Sequence, residues 1–590
     1  MLRLALALLC ALAAHAAEPF LNLGFEAVRG SHPRAWRTYG LGYESTADTV
    51  VAHSGKIGLR MECRGSCLGA GSAYQCLGAT GPLCLQTFPL EVFRGKRIRY
   101  SGYIKTANVD RGYAGLSWEV DGKDGRLTYD DMHESGVHGT TPWTRYVIER
   151  QVDAKATEVE FGVRLAGNGT AWFDSLQIEV DGKIYPQPAP LPPAQPTSQQ
   201  IDWLKRNAIP FDTDQAGHGF KDLQPLKKVI ENARIVGLGE QTHGTSEFQS
   251  MKHRLIEFLA SEMGFTIFAI EANMPETYPL NDYVLKGAGD PRQLVQGMHV
   301  WTWNTQEVLD MVMWMREFNQ SGKGRIQFWG IDMQNPRPAM ANVSKFLNTA
   351  DPEFSGKVYQ GMDTALSQPN ASQAVKDAAL QEAAEVLETM RAKRGLYTVN
   401  RKTSDVDWAI QNARIVVQAA NANWSRERGT IRDRSMADNL EWIMEQAPGA
   451  RIVLWAHNDH IAKEPGQLGG YLSARHSSNY RAFGFAFHQG RYNAIAGDGL
   501  AARDAADSYP GSVEYVLYRS GIPRFILDVR AAKLEANAWL REGLDWRNIG
   551  AVRIDGFKPN ARLTSQFDDL IFIDRTIPSH LLALPPRPTP

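Results

Sequence analysis

Glu240 and His243 stand three positions apart in Gly237-Leu-Gly-Glu-Gln-Thr-His-Gly244. A carboxylate beside an imidazole fixes its tautomer and raises its basicity, which suits a general base acting on water. The plainer reading makes Glu240 a helix cap and His243 a satisfied surface histidine. Glu271 closes the mostly apolar run Thr266-Ile-Phe-Ala-Ile, a place charged groups seldom occupy unless paired. His457 and His460 follow Arg451-Ile-Val-Leu-Trp-Ala, and Asp332 follows Arg325-Ile-Gln-Phe-Trp-Gly-Ile. His460 alone reads equally as a structural hydrogen-bonding group. The same pattern in several segments favours a shared site over coincidence.

The elements that must position these groups are short, β-branched apolar runs alternating with helical stretches, the pattern of parallel strands. In such sheets the ligand crevice lies outside the carboxyl ends of the strands. Acids and imidazoles more than two hundred residues apart in sequence are therefore expected to converge. Phe248, Met251, Leu255, Leu259 and Met263 fall at helical spacing just after His243, with a helix start at Thr245 or Ser246. Between about 352 and 447 no strand pattern occurs, and Ala371 to Arg394 and Asp405 to Arg428 read as long helices placed to roof the pocket. The expectation is an α/β domain over 201–578, with a parallel sheet covered on both faces and a helical insertion. Residues 579–590 are expected to form a disordered tail.

The preceding region, 18–184, is strand-like. Ile57-Gly-Leu-Arg-Met61, Val159-Glu-Phe-Gly-Val-Arg-Leu165 and Leu176-Gln-Ile-Glu-Val180 alternate apolar with polar, which predicts a jelly-roll-like β-sandwich. With Asn22-Leu-Gly-Phe-Glu26 early and Ala171-Trp-Phe-Asp174 late, it resembles secreted carbohydrate-binding modules, which makes a glycan a candidate partner. Burial in the core is the commoner fate of such aromatics. A proline-rich linker at 185–200 separates the two domains.

At 590 residues, two domains or more are expected. A net charge of −1 gives no electrostatic reason for a nucleic-acid or anionic-membrane partner. Residues 1–17 read as a signal peptide too short to span a bilayer, which points to a periplasmic or secreted protein. Cys63, Cys67, Cys76 and Cys84 then read as disulfide partners. Structural zinc is the competing reading, although spacings of three, eight and seven residues do not form zinc-ribbon knuckles.

Taken in order, Gly237–Gly244, His253-Arg254-Leu, Gly264–Ala272, Trp301-Thr-Trp303-Asn-Thr-Gln-Glu307 and Trp455–His460 resemble the erythromycin esterase family over roughly 205–575. The resemblance implies hydrolysis of a small-molecule ester or lactone by water activated at His243, with Glu240 as its partner and no cofactor. It makes Glu271, His457 and His460 pocket residues and Arg254 a contributor to charge stabilisation. The chain departs from the family's resistance enzymes at Gln241 and Ser246. Two other readings remain: a metal-dependent hydrolase using the same His and Glu cluster, and a non-catalytic binding protein on this fold. A serine nucleophile is disfavoured, since Ser477 and Ser478 lack a Gly-x-Ser-x-Gly context.

Overall fold

The computed structural model describes residues 21–583 except 30–31, 40–42, 64–69, 79–89, 124, 187–194, 369, 426, 497, 532–538, 542 and 554–556, with only the backbone for 29, 37–39, 70–78, 559 and 560. The expected leader 1–17, the loop holding Cys67 and Cys84, the middle of the proline-rich linker and residues 584–590 lie outside the described residues.

Alternation of buried and exposed side chains builds the N-terminal module. Its antiparallel strands are β1 (Tyr43–Asp48), β2 (Gly58–Cys63), β3 (Ala70–Gly78), β4 (Arg97–Gly122), β5 (Val137–Gln151), β6 (Ala156–Ala166) and β7 (Asn168–Val180). The long strand β4 pairs with β5 and β7 in its first half and with β6 in its second. It thereby carries one hydrogen-bonded sheet around a continuous core that includes Leu59, Tyr100, Trp118, Phe161 and Phe173. The two motifs singled out in this region tie its ends together. Phe25 and Phe173 are fully buried, Asp174 accepts from the His53 and Ser54 amides at 2.7 and 2.8 Å, and Glu26 accepts from the Lys56 and Ile57 amides.

In the larger domain the apolar runs form β8 (Ile235–Leu238), β9 (Ile267–Asn273), β10 (Gln327–Asp332), β11 (Ile452–Trp455), β12 (Tyr480–Ala496), β13 (Arg524–Asp528) and β14 (Asp569–Thr576). The order β14-β12-β8-β11-β9-β10 is parallel throughout, and β13 adds antiparallel to β14. Successive strand residues feed opposite faces. Ile235, Ile267, Ile452 and Leu454 enter one core, while Val236, Phe268, Val453 and Trp455 enter the other. Burial on both faces explains why these runs are continuously apolar. The second core is covered by α1 (Ser246–Met263), α2 (Met274–Lys286) and α3 (Gln306–Gln320). The first is covered largely by the insertion, α4 (Gln373–Ala392), α5 (Thr403–Asn423) and α6 (Arg428–Gln446). The second predicted helix of the insertion overran its end. It stops at Asn423, and the next helix opens at Arg428. Among the described residues no helix is long and apolar enough to cross a membrane.

Register sets up the site. Leu238, Trp455 and Ile270 are Cα partners, so β8, β11 and β9 run level at their carboxyl edge. Glu240, His457 and Glu271 lie one or two residues beyond that line. Part of the expected tail is ordered instead. The Ser579 amide bonds to the Gly244 carbonyl at 2.9 Å, His580 bonds to Glu307, and the Leu582 amide reaches the Asn304 carbonyl, so residues 579–583 brace the loop that carries His243. Gly239 allows that loop to pass close to its neighbour, since a Cβ there would sit 2.1 Å from Asn458 Oδ1 and 3.1 Å from the Phe483 carbonyl. Gly239→Ala is expected to lower unfolding free energy by about 1–3 kcal/mol, the usual cost of overpacking, measured by urea denaturation. An unchanged midpoint would contradict this packing.

Candidate active site

Loops at the carboxyl ends of adjacent parallel strands open into one cavity of about 1480 Å³. His243, Glu271, Asp332, His457 and His460 line it, so the groups expected to converge are brought together. Glu240 lies behind His243 and is fully buried. Its Oε1 accepts from His243 Nδ1 at 2.5 Å, and its Oε2 accepts from Lys252 Nζ and from Trp455 Nε1 at 3.0 Å. This bonding places the imidazole proton on Nδ1 and leaves Nε2 without a partner among the described residues. His243 also packs edge-on against Trp303, with ring centroids 5.6 Å apart.

Lys252 is the group that sequence reading missed. It is buried on α1, with Nζ 4.3 Å from the Trp455 ring centroid and 5.2 Å from that of Phe485. Burial pushes its ammonium down to about 8 against the pull of Glu240. Burial likewise disfavours the Glu240 carboxylate, but Lys252 and His243 outweigh it and hold the group below its usual range. The available signal was a lysine four positions after Phe248, on the apolar stripe of an amphipathic helix.

A second cluster faces His243 across the cavity. Glu271 accepts from Arg432 Nη2 at 2.7 Å and from the His457 amide at 2.9 Å. Arg432, from α6, also grips Asp332 through Nε and Nη2. His460 donates from Nδ1 to Asp433 at 2.7 Å, and its Nε2 lies 3.2 Å from Glu271. Burial opposes the imidazolium, but Asp433 and Glu271 flank the ring and raise it to about 10. Burial also opposes the Glu271 carboxylate, yet His460 and Arg432 hold it well below the usual range. Arg432 and Asp433 had no sequence signal, because the insertion reads as ordinary amphipathic helix.

His457 begins α7 (Asn458–Ile461), and its ring centroid is 5.2 Å from that of His243. Its Nε2 donates to the Ile549 carbonyl at 3.0 Å, and its Nδ1 accepts from the Asp459 amide at 3.2 Å. That bonding is complete for a neutral ring. Asn458 ties this turn to the Glu240 carbonyl and to both backbone groups of Phe485. Gln241 is structural, bonding Glu514, the Phe487 amide and the Ile549 amide.

Arg254 is placed elsewhere. Its guanidinium holds Asp222 through two bonds and the Thr213 and Gly219 carbonyls through two more, and it does not line the cavity. The charge-stabilising role expected of it has no route to the groups that line the cavity. Ser477 and Ser478 sit in a turn that is likewise absent from the lining. Among the described residues no three His, Cys, Asp or Glu side chains form a group fit to hold a metal ion.

Burial holds the His457 ring down at about 4, and His253 is held at about 4 by the same cause. The unfolded chain titrates these rings near ~6.5, so it binds more protons than the fold between that pH and about 4. Their contribution to stability is therefore present above pH ~6.5 and is lost as pH falls through the window. Thermal melts across that range should show His457→Asn with roughly half the acid-dependent loss that these two rings impose on the parent. Superimposable pH profiles would contradict a neutral, buried His457.

The sequence profile described as "Erythromycin esterase" matches residues 260–576. A putative hydrolase of Bacillus subtilis (strain 168), YbfO, is 23% identical over 422 residues, covering 64% of this chain and 92% of that protein. Erythromycin esterase type II of Escherichia coli is 25% identical over 301 residues, covering 46% and 71%. Among solved structures, a succinoglycan biosynthesis protein is 27% identical with a TM-score of 0.57, covering 65% of this chain and 98% of that one. With its profile matching more than half of the sequence, the chain belongs to the erythromycin esterase family of hydrolases.

Proposed function

We propose that this protein hydrolyses carboxylic esters with water activated by His243. The carrying observation is the 2.5 Å bond between His243 Nδ1 and a buried Glu240, which leaves Nε2 as a base on the cavity wall. Nε2 takes a proton from water as the water oxygen attacks the ester carbonyl. Glu240 stabilises the imidazolium that forms, and Lys252 keeps Glu240 ionised. The proton then passes to the departing alkoxide.

Negative charge develops on the carbonyl oxygen, and Arg432 is the donor this reading assigns to it. An imidazolium at His460 gives its two N–H groups to Asp433 and Glu271. Arg432 Nη1, 3.0 Å from His460 Nε2, then has no acceptor there and is available to a substrate oxygen. For the N-terminal module the matching proposal is a glycan-binding face. Tyr103 stacks on His53 at 3.6 Å, and Trp172 shares the outward side through its register partner Lys105.

Assays should use a broad panel of esters and lactones. His243→Ala is expected to lower kcat by about 10² to 10⁴-fold on any ester the parent cleaves; retention of parental turnover would refute the base. Arg432→Lys keeps charge but loses the planar fork, and a fall of about 10²-fold in kcat with KM little changed is expected. A pure KM effect would remove Arg432 from the transition state.

A further inference from the structure

Beyond the reacting groups the cavity continues into a wing walled by Asn273, Glu276, His299, Thr302, Gln334 and Asn335. The wing is contiguous with the centre, because Gln334 bonds Asp332 at 2.8 Å and Asp332 bonds Arg432. Asn273 and the Asn335 backbone exchange two hydrogen bonds, which fixes one amide side chain against the loop that carries the other two.

Two features stand out there. Glu276, in the first turn of α2, has a buried Oε2 with no hydrogen-bond partner. Leaving such an oxygen unsatisfied is costly, so a partner supplied on binding is favoured. His299 holds a left-handed backbone, φ 57°, at the cavity rim. Strain of that kind in a non-glycine residue clusters at ligand sites. Met298 and Val300, on either side of it, give the wing an apolar edge.

Amides, a carboxylate, a hydroxyl and an imidazole in one wall offer both donors and acceptors. Neighbouring hydroxyls, each both donor and acceptor, match that mixture, and the C–H face of a sugar ring suits the apolar edge. An ammonium would match Glu276 but would meet His299, and an acyl chain would leave the polar groups unpaired. The cavity also exceeds the roughly 300–1,000 Å³ of ordinary small-molecule sites, which leaves room beyond an ester group.

We propose that this wing is a subsite for a polyhydroxylated, carbohydrate-like part of the substrate, so that the ester cleaved is an acylated sugar. The substrate class rests on the esterase reading; the subsite does not. Burial raises the Glu276 carboxyl above its usual range, against hydrogen bonds from the Asn273 and Asn335 side chains and the charge of His299, so the open acceptor is Oε2 alone.

The test uses the full-length protein and two readouts. Hydrogen–deuterium exchange of peptides spanning residues 296–305 is followed with unesterified cellotetraose, xylotetraose and maltotetraose. At least one should slow exchange there in the parent and fail to do so in Glu276→Ala; Glu276→Gln, which keeps an acceptor, should respond in part. Absence of any response in the parent overturns the subsite. In kinetics, the ratio of kcat/KM for the acetylated oligosaccharide to that for 4-nitrophenyl acetate should fall about tenfold in Glu276→Ala, through KM, as expected for one lost hydrogen bond. An unchanged ratio overturns the substrate class. If exchange responds while the parent cleaves neither ester, the esterase reading fails and the subsite stands.

Discussion

A carboxylate with no exposure to water must be paired or it will not stay charged. Glu240 is that group here, and much of the site follows from it. Lys252 supplies the countercharge, Trp455 a neutral donor and His243 the third bond, so one side chain fixes a helix, a strand end and the His243 imidazole together. Removing any of the three would leave part of a buried charge uncompensated. The orientation of His243 is thus a consequence of solvation energetics in the core, and the accessible Nε2 is what remains once that requirement is met.

The opposing cluster applies the same physics across a longer distance in sequence. Glu271 and Asp332 end neighbouring parallel strands, and two carboxylates brought so close repel unless a cation stands between them. Arg432 takes that position from a helix of the insertion, while Asp433 from the same turn holds His460. The insertion is therefore more than a roof. Helix α6 carries the cation that lets two strand-end acids coexist, and the wing holding Glu276 and His299 opens beside it.

How far the sequence could be read depended on whether position along an element or contact between elements was at stake. Strand ends were legible because a buried parallel strand must be continuously apolar, so the first charged residue after Ile270 or Trp455 marks the sheet's edge. The missed helix boundary near 424–428 had no proline to announce it. Residues 579–583 run into the proline-rich end and carry no periodic pattern of their own, yet Ser579 and His580 bond to the Gly244 carbonyl and Glu307.

Arg254 and Lys252 show where the division falls. They are two positions apart on one helix, which turns their side chains roughly 200° from each other, so only one can face the site. Local pattern determined that there is a helix, that it follows His243 and that basic groups lie on it. Which of the two cations meets Glu240 was decided by the rotation of α1 against β8 and β11, a matter of packing between segments far apart in the chain. Periodicity is a property of the covalent sequence; the pairing of buried charges exists only once distant segments are packed together.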